Sequence, residues 1–116
     1  YAKERRAFGQ PISKFQAIQT KLADLSTEIE AARLLTLKCA WLKDQGRPFG
    51  LAAAQAKLKT GRLAVKATDE AVQIHGGYGY MSDVWVQRAW RDSRLGPIGG
   101  GTSQIMREII GKTHGL

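Results

Sequence analysis

One cysteine, Cys39, in a sequence of 116 residues excludes an internal disulfide and fits a reducing compartment. The two histidines, His75 and His114, stand apart from each other and from Cys39. No Cys/His ligand set for a structural zinc exists, and no metal site is expected. Neither histidine has a carboxylate or nucleophile at useful spacing, so a catalytic base is not expected there. Proline is scarce, with only Pro11, Pro48 and Pro97, while Ala, Leu, Lys, Gln and Glu are common, a balance that favours helix. No apolar run reaches the roughly 18 residues that span a bilayer. No charged-then-apolar leader opens the chain. It begins at Tyr1 rather than an initiator Met, as expected of a processed chain or a piece of a longer protein, and its length allows one domain at most.

Acidic residues are also few, 10 against 18 basic, for a net charge of +8. Such a balance suits nucleic acid, an acidic membrane or phosphate-bearing small molecules. The basic residues are scattered through helix-like segments rather than blocked. Ordinary solvated helix faces with a few anion contacts are therefore expected, and nucleic acid is not. Lys59, Arg62 and Lys66 share one helical face and read as a wet surface.

What is abundant is helical periodicity. Ser13-Lys14-Phe15-Gln16 has the form of a capping box, with Pro11 just before it. Apolar or small residues then recur in steps of three or four at Phe15, Ile18, Leu22, Leu25, Ile29, Ala32, Leu35, Cys39 and Leu42, which predicts one continuous buried stripe. Gly46 and Pro48 end it. Such a helix is on the order of 45 Å long. A second stripe of smaller residues, Leu51, Ala54, Leu58, Gly61, Val65, Thr68 and Val72, would let backbones approach closely, and Gly76-Gly77 stops it. A shorter helix is predicted over Val84 to Leu95, with an Arg88–Asp92 pair, broken by Gly96-Pro97. Thr102 caps a last helix with Ile105, Met106, Ile109 and Ile110 facing inward. Tyr1 to Phe8 reads as the tail of a helix that begins upstream. Short loops between long helices predict an all-α, up-and-down, four-helix-bundle-like domain over residues 1–116.

Two glycine-rich breaks carry the candidate sites. Gly99-Gly100-Gly101-Thr102 precedes a helix N-terminus, where backbone N–H groups favour an anion or an electron-rich ring edge. Taken on sequence alone, a plain loop with a Thr cap is the simpler reading. Gly77-Tyr78-Gly79 is not a dinucleotide fingerprint, because Ser82 stands where that pattern needs glycine and a helix precedes it. Nor is it an RNA-recognition strand, since no basic residue or alternating sheet accompanies Tyr78 and Tyr80. Lys3, Arg5 and Arg6 cluster near the start, either as phosphate contacts or as cations complementing a helix end. Trp41, Trp85 and Trp90 read as packing or interface residues.

Taken in order, several stretches resemble the C-terminal helical domain of the acyl-CoA dehydrogenases, a family of flavoenzymes. These are Tyr1-Ala2-x-Glu4-Arg5-x-x-Phe8-Gly9-x-Pro11-Ile12, Phe15-Gln16, Gln19, Leu22-Ala23-Asp24, Ala54 to Lys57, Gln73 to Gly79, Arg88, Arg91-Asp92, and Gly101-Thr102 with its following helix. The likeness covers essentially the whole chain. It implies FAD as cofactor, an acyl-CoA substrate, electron-transfer flavoprotein as acceptor and a homotetramer built as a dimer of dimers. It places such a protein in a bacterial cytoplasm or a mitochondrial matrix. It implies that Arg5 meets the FAD pyrophosphate with Phe8 close by, and that Phe15, Gln16, Gln73, Gly76 and Gly77 hold the adenosine side. Thr102 and Gln104 would touch the flavin, and Gly101 would lie beside the acyl chain or thioester. Family members remove an α-proton with a carboxylate while a β-hydride passes to the flavin. Many carry that glutamate one residue before the Gly-Thr pair, where this chain has Gly100. Members similar to the isovaleryl and long-chain types draw it from the preceding helix, upstream of Tyr1, and Glu4 is poorly placed for the role. No catalytic residue is therefore expected within the chain, and no activity from it alone. The competing expectations are a flavoprotein relative without dehydrogenase activity (an oxidase, a monooxygenase or a DNA-associated protein) and a stand-alone basic helical module.

Overall fold

The structure is a computed structural model that describes residues 1–116. A small hairpin, β1 (Arg6–Ala7) and β2 (Gln10–Pro11), leads through a single 3-10 turn into five helices: α1 (Gln16–Asp44), α2 (Gly50–His75), α3 (Gly77–Tyr80), α4 (Trp85–Ser93) and α5 (Ser103–Thr113). The domain is all-α apart from that hairpin. Helix α2 lies at its centre, packing on α1, α4 and α5. Helices α1 and α2 run antiparallel. Lys21 pairs with Glu70 near one end and Glu28 meets Lys59 and Lys66 further along, while Leu25, Ala32 and Leu63 form the buried seam. No helix is long and apolar enough to cross a membrane.

The capping box at Ser13 does not form. Phe15 holds an extended backbone between the 3-10 turn and α1, at φ −80° and ψ 130°, so Ser13 sits too far back to reach the first free N–H groups of the helix. Gln19 Nε2 donates instead to the Ser13 carbonyl, at 3.0 Å. The other end follows expectation. Gly46 N bonds Lys43 O and Arg47 N bonds Leu42 O, at 3.0 and 2.9 Å, the paired closure of a Schellman motif.

Tyr1 to Phe8 is not one helix tail. A single turn closes with Glu4 N and Arg5 N on the Tyr1 carbonyl, at 2.9 and 2.8 Å, and the chain then enters β1. Phe8 and Gly9 both take positive φ, 51° and 82°, as a two-residue hairpin loop requires.

The predicted stripe of α1 is only partly covered. Leu25 and Ala32 are buried, whereas Leu22 and Ile29 are 43% and 45% exposed. Periodicity marks the apolar face, but within this chain α2 alone is there to cover it. In α5, Met106 is buried and Ile110 half-buried, while Ile105 and Ile109 are exposed. Neighbouring helical residues stand about 100° apart, and only one of the two apolar rows meets α2. The Arg88–Asp92 pair is absent and both side chains are exposed. An acid placed C-terminal to its base is the weaker order for such pairs. Contact between α4 and α2 instead uses Trp90 Nε1, which donates to Asp69 Oδ1 at 3.0 Å, and the Thr68 and Ser93 hydroxyls, 2.9 Å apart.

Accessible area is 8137 Å² for a 12.7 kDa chain, against the roughly 6,200 Å² expected of a compact monomer of that mass. The excess includes Leu34, Leu37 and Trp41 on α1, Tyr80 at the end of α3 and Trp85 at the start of α4.

Candidate functional site

The end of α2 gathers four of the residues singled out in the sequence. Arg5, Gln73, Gly76 and Gly77 line one cavity of about 660 Å³, with Tyr78 and His75 in its wall. Helix α2 stops because Gly76 turns to φ 60° and ψ −141°, and the chain re-enters a short helix at Gly77. The N-terminal turn is fastened onto this end. The Tyr1 ring stacks on His75 with centroids 4.2 Å apart and planes 22° apart, and its hydroxyl donates to the His75 carbonyl at 3.2 Å. His75 Nδ1 lies 2.7 Å from the Ala71 carbonyl; a carbonyl only accepts, so that nitrogen carries the proton. Backbone bonds from Ile12 N to Arg5 O and from Ser13 N to Ala2 O, at 2.8 and 2.9 Å, tie the turn to the returning strand.

This arrangement separates the three clustered cations. Arg6 donates from Nη2 to the Gly9 carbonyl at 2.7 Å and so closes the hairpin. Lys3 is exposed. Arg5 lies over the Tyr78 ring, its guanidinium carbon 5.7 Å from the ring centroid, and meets no carboxylate. Phe8, at the hairpin tip, is 96% exposed and sits edge-on to Phe15, with centroids 6.2 Å apart. Gln16 opens α1 beside them, exposed. None of these three lines the cavity.

A second cluster lies along the first half of α2. Lys57 Nζ donates to the Gly96 carbonyl at 3.1 Å, and Ser103 N bonds the Pro97 carbonyl at 2.9 Å, folding the Gly99–Gly101 turn back on itself. Gly101 takes φ 98°, and a Cβ there would lie 2.7 Å from Met106 Cε. Thr102 Oγ1 accepts from Ile105 N at 3.3 Å, the cap expected from sequence, which leaves its own hydroxyl hydrogen to donate elsewhere. Gln104 is exposed on the first turn of α5. At 1.5 Å per residue, Lys57 and Gln73 are about 24 Å apart along α2. The chain thus brings Arg5, Gln73, Gly76 and Gly77 together, and separately Gly101, Thr102 and Gln104, but does not join the two groups.

Lys59, Arg62 and Lys66 are more than a wet face. With Glu28, Gln55 and Ile110 they line a cavity of about 490 Å³ between α1, α2 and α5. Lys59 Nζ lies 2.8 Å from Glu28 Oε2, and Lys66 donates to Oε1. Hydrogen bonds from the two ammonium groups hold the Glu28 carboxyl down from 4.5 to about 2, and the carboxylate in turn raises Lys66. Arg62 is left without a partner. Nowhere do three or more His, Cys, Asp or Glu side chains come together as a metal would need.

The sequence reasoning missed Tyr78, Tyr1 and His75 as parts of one cavity. Tyr78 was legible as a neighbour of the glycine pair, but its role depends on Arg5, 73 positions away in the chain.

A family model described as acyl-CoA dehydrogenase, C-terminal domain, matches residues 1–114. A probable acyl-CoA dehydrogenase of Bacillus subtilis (strain 168), YngJ, is 56% identical over 112 residues, covering 97% of this chain and 30% of that protein. The solved structure of butyryl-CoA dehydrogenase from Megasphaera elsdenii superposes with a TM-score of 0.98 at 43% identity, over 100% of this chain and 30% of that one. A solved FAD complex of PigA superposes with a TM-score of 0.97 at 31% identity, again over 100% of this chain and 30% of that one. The chain therefore spans about three tenths of the length of the relatives it matches.

Proposed function

The chain belongs to the acyl-CoA dehydrogenase family, as its C-terminal domain, and from that premise we propose that it is the FAD-binding and subunit-joining helical part of a longer enzyme that oxidises acyl-CoA thioesters between the α- and β-carbons. The observation that carries this reading is the unpaired Arg5 guanidinium in a cavity shared with Gln73, Gly76 and Gly77.

These residues suit FAD. A cation without a counter-ion attracts the pyrophosphate, and its planar fork can take two phosphate oxygens at once. A Cβ added at Gly76 or Gly77 would meet nothing within 4 Å, so the backbone there is open to a ligand's approach. Gln73 offers an amide for a sugar hydroxyl or ring edge.

Bound FAD supplies the acceptor for a hydride from the substrate β-carbon. Thr102 and Gln104 offer donors to the flavin edge, and Gly101 leaves room beside the thioester. Residue 100 has no side chain, so the base that takes the α-proton comes from a segment before Tyr1. The two clusters lie too far apart along α2 for one compact contact, which suits a cofactor shared between subunits. The exposed Leu34, Leu37 and Trp41 of α1 suit burial in a homotetramer built as a dimer of dimers. Electron-transfer flavoprotein is the acceptor that reoxidises such an enzyme, and a bacterial cytoplasm or a mitochondrial matrix is its setting.

The test is the visible spectrum of the longer protein, recorded without oxygen before and after each of a panel of acyl-CoAs. An oxidised-flavin spectrum that one of them bleaches is the expected result. A flavin that none bleaches would point to a relative without dehydrogenase activity. Absence of flavin would overturn the reading of the Arg5 cavity.

A further inference from the structure

We propose that Tyr78 is a positioning residue for FAD binding: its ring holds the Arg5 guanidinium without neutralising its charge. The proposal rests on the reading that Arg5 meets the pyrophosphate, and it adds a residue that the sequence did not single out for any such role.

The shape of the cation decides which partners leave it free for phosphate. A guanidinium is planar, and its five N–H donors all lie in that plane. A carboxylate partner would occupy two of those donors and compete directly with phosphate oxygens. An aromatic ring attracts the same cation through its own π face and brings no negative charge to compete with phosphate. Arg5 has the second kind of partner only, with its guanidinium carbon 5.7 Å from the centroid of Tyr78.

Both members of the pair are mounted on the same helix end. Arg5 belongs to the turn fixed by Tyr1, whose ring stacks on His75 and whose hydroxyl bonds the His75 carbonyl. Tyr78 lies in α3, and the next residue, Gly79, packs so closely on Val72 and His75 that a Cβ would lie 2.7 Å from the Val72 carbonyl oxygen. The backbone carrying Tyr78 is thus fixed against α2, while the residue is 51% exposed and is not part of a core. Orienting the cation before ligand binding reduces the rotamer freedom that binding would otherwise remove.

The experiment is a double-mutant cycle on the longer protein, stripped of flavin and titrated with FAD while flavin fluorescence is followed. Far-UV circular dichroism and subunit assembly are checked for each variant. Tyr78→Phe keeps the ring face and should bind FAD as the unaltered protein does. Tyr78→Leu should weaken binding by about two- to fivefold, the range for an exposed cation–ring contact. Tyr78→Gln is a second ringless variant and should match it. In an Arg5→Ala background, Tyr78→Leu should cause no further loss, because Tyr78 acts through Arg5. Unchanged FAD affinity in both ringless variants would overturn the proposal, as would a loss that persists in full without Arg5. Arg5→Ala with unchanged affinity would instead remove the phosphate reading itself, an outcome distinct from a failure of Tyr78 alone.

Discussion

A methyl group added at Gly76 or Gly77 would meet nothing within 4 Å, whereas one added at Gly61 would meet the Gly96 backbone at 3.1 Å and Pro97 N at 3.3 Å. Both places are glycine-rich and both touch α2, yet one is open and the other is closed by the chain itself. At the closed place two backbones cross, and Lys57 fastens the crossing from the side through the Gly96 carbonyl. At the open place the chain leaves backbone bare beside an unpaired arginine. Glycine that satisfies an internal contact and glycine that waits for an external one are indistinguishable in composition. Space beyond the Cα tells them apart. Gly79 sharpens the point, because it lies two residues from Gly77 and is buried against Val72 and His75.

The contrast breaks most visibly at Gly79. In Gly79→Val the new side chain would begin 2.7 Å from the Val72 carbonyl oxygen and 2.9 Å from His75 Cβ, so backbone must move. Overpacking of this kind costs about 1–3 kcal/mol, and it should lower the urea midpoint more than alanine at Gly61 or Gly77 does. An unchanged midpoint would mean that α3 swings clear of α2 at little cost. A smaller loss is expected for Gly61→Ala. Helix propensity favours alanine inside α2 by up to about 1 kcal/mol, but the Gly96-Pro97 backbone leaves little room to yield. The net effect should be a destabilisation of about 1 kcal/mol or less. A rise in stability would show that the loop gives way and that the crossing is not tight.

Legibility from sequence followed the range of the interaction. The Thr102 cap was readable because cap and donor lie three residues apart, and the Gly46 stop for the same reason. The Ser13 box has the same spacing and failed, because the extended backbone at Phe15 separates Ser13 from the helix. The α1 stripe identified an apolar face correctly, but periodicity does not say what covers Leu22 or Ile29. Helix α3 was not foreseen, since Gly-Tyr-Gly-Tyr has no apolar period and its stability comes from Gly79 packing on α2. At the site, the charge pattern alone offered Lys3, Arg5 and Arg6 as equals, and the family resemblance picked Arg5. The hairpin, which engages Arg6 at Gly9, leaves Arg5 to the cavity. The family resemblance supplied the remaining site positions, while the partnership of Arg5 with Tyr78 arises only in the folded chain.

The smallest effect on stability, and the most diagnostic, is expected from Gly77→Ala. Gly77 opens α3 without a positive φ, and a Cβ there would lie in open space, so alanine is sterically and conformationally acceptable. Stability should stay within about 0.5 kcal/mol of the unaltered protein, as for an exposed position free of special contacts. The methyl group would nonetheless stand between the backbone and a cofactor that approaches it. FAD affinity of the longer protein should fall about tenfold, equivalent to about 1.4 kcal/mol, and parallel urea and FAD titrations would separate the two effects. A loss of stability equal to that of Gly61→Ala would make Gly77 a packing residue like Gly79. Full stability with full FAD affinity would show that the open face of this turn is turned away from the cofactor. In that case the FAD reading of the cavity would rest on Arg5 and Gln73 alone.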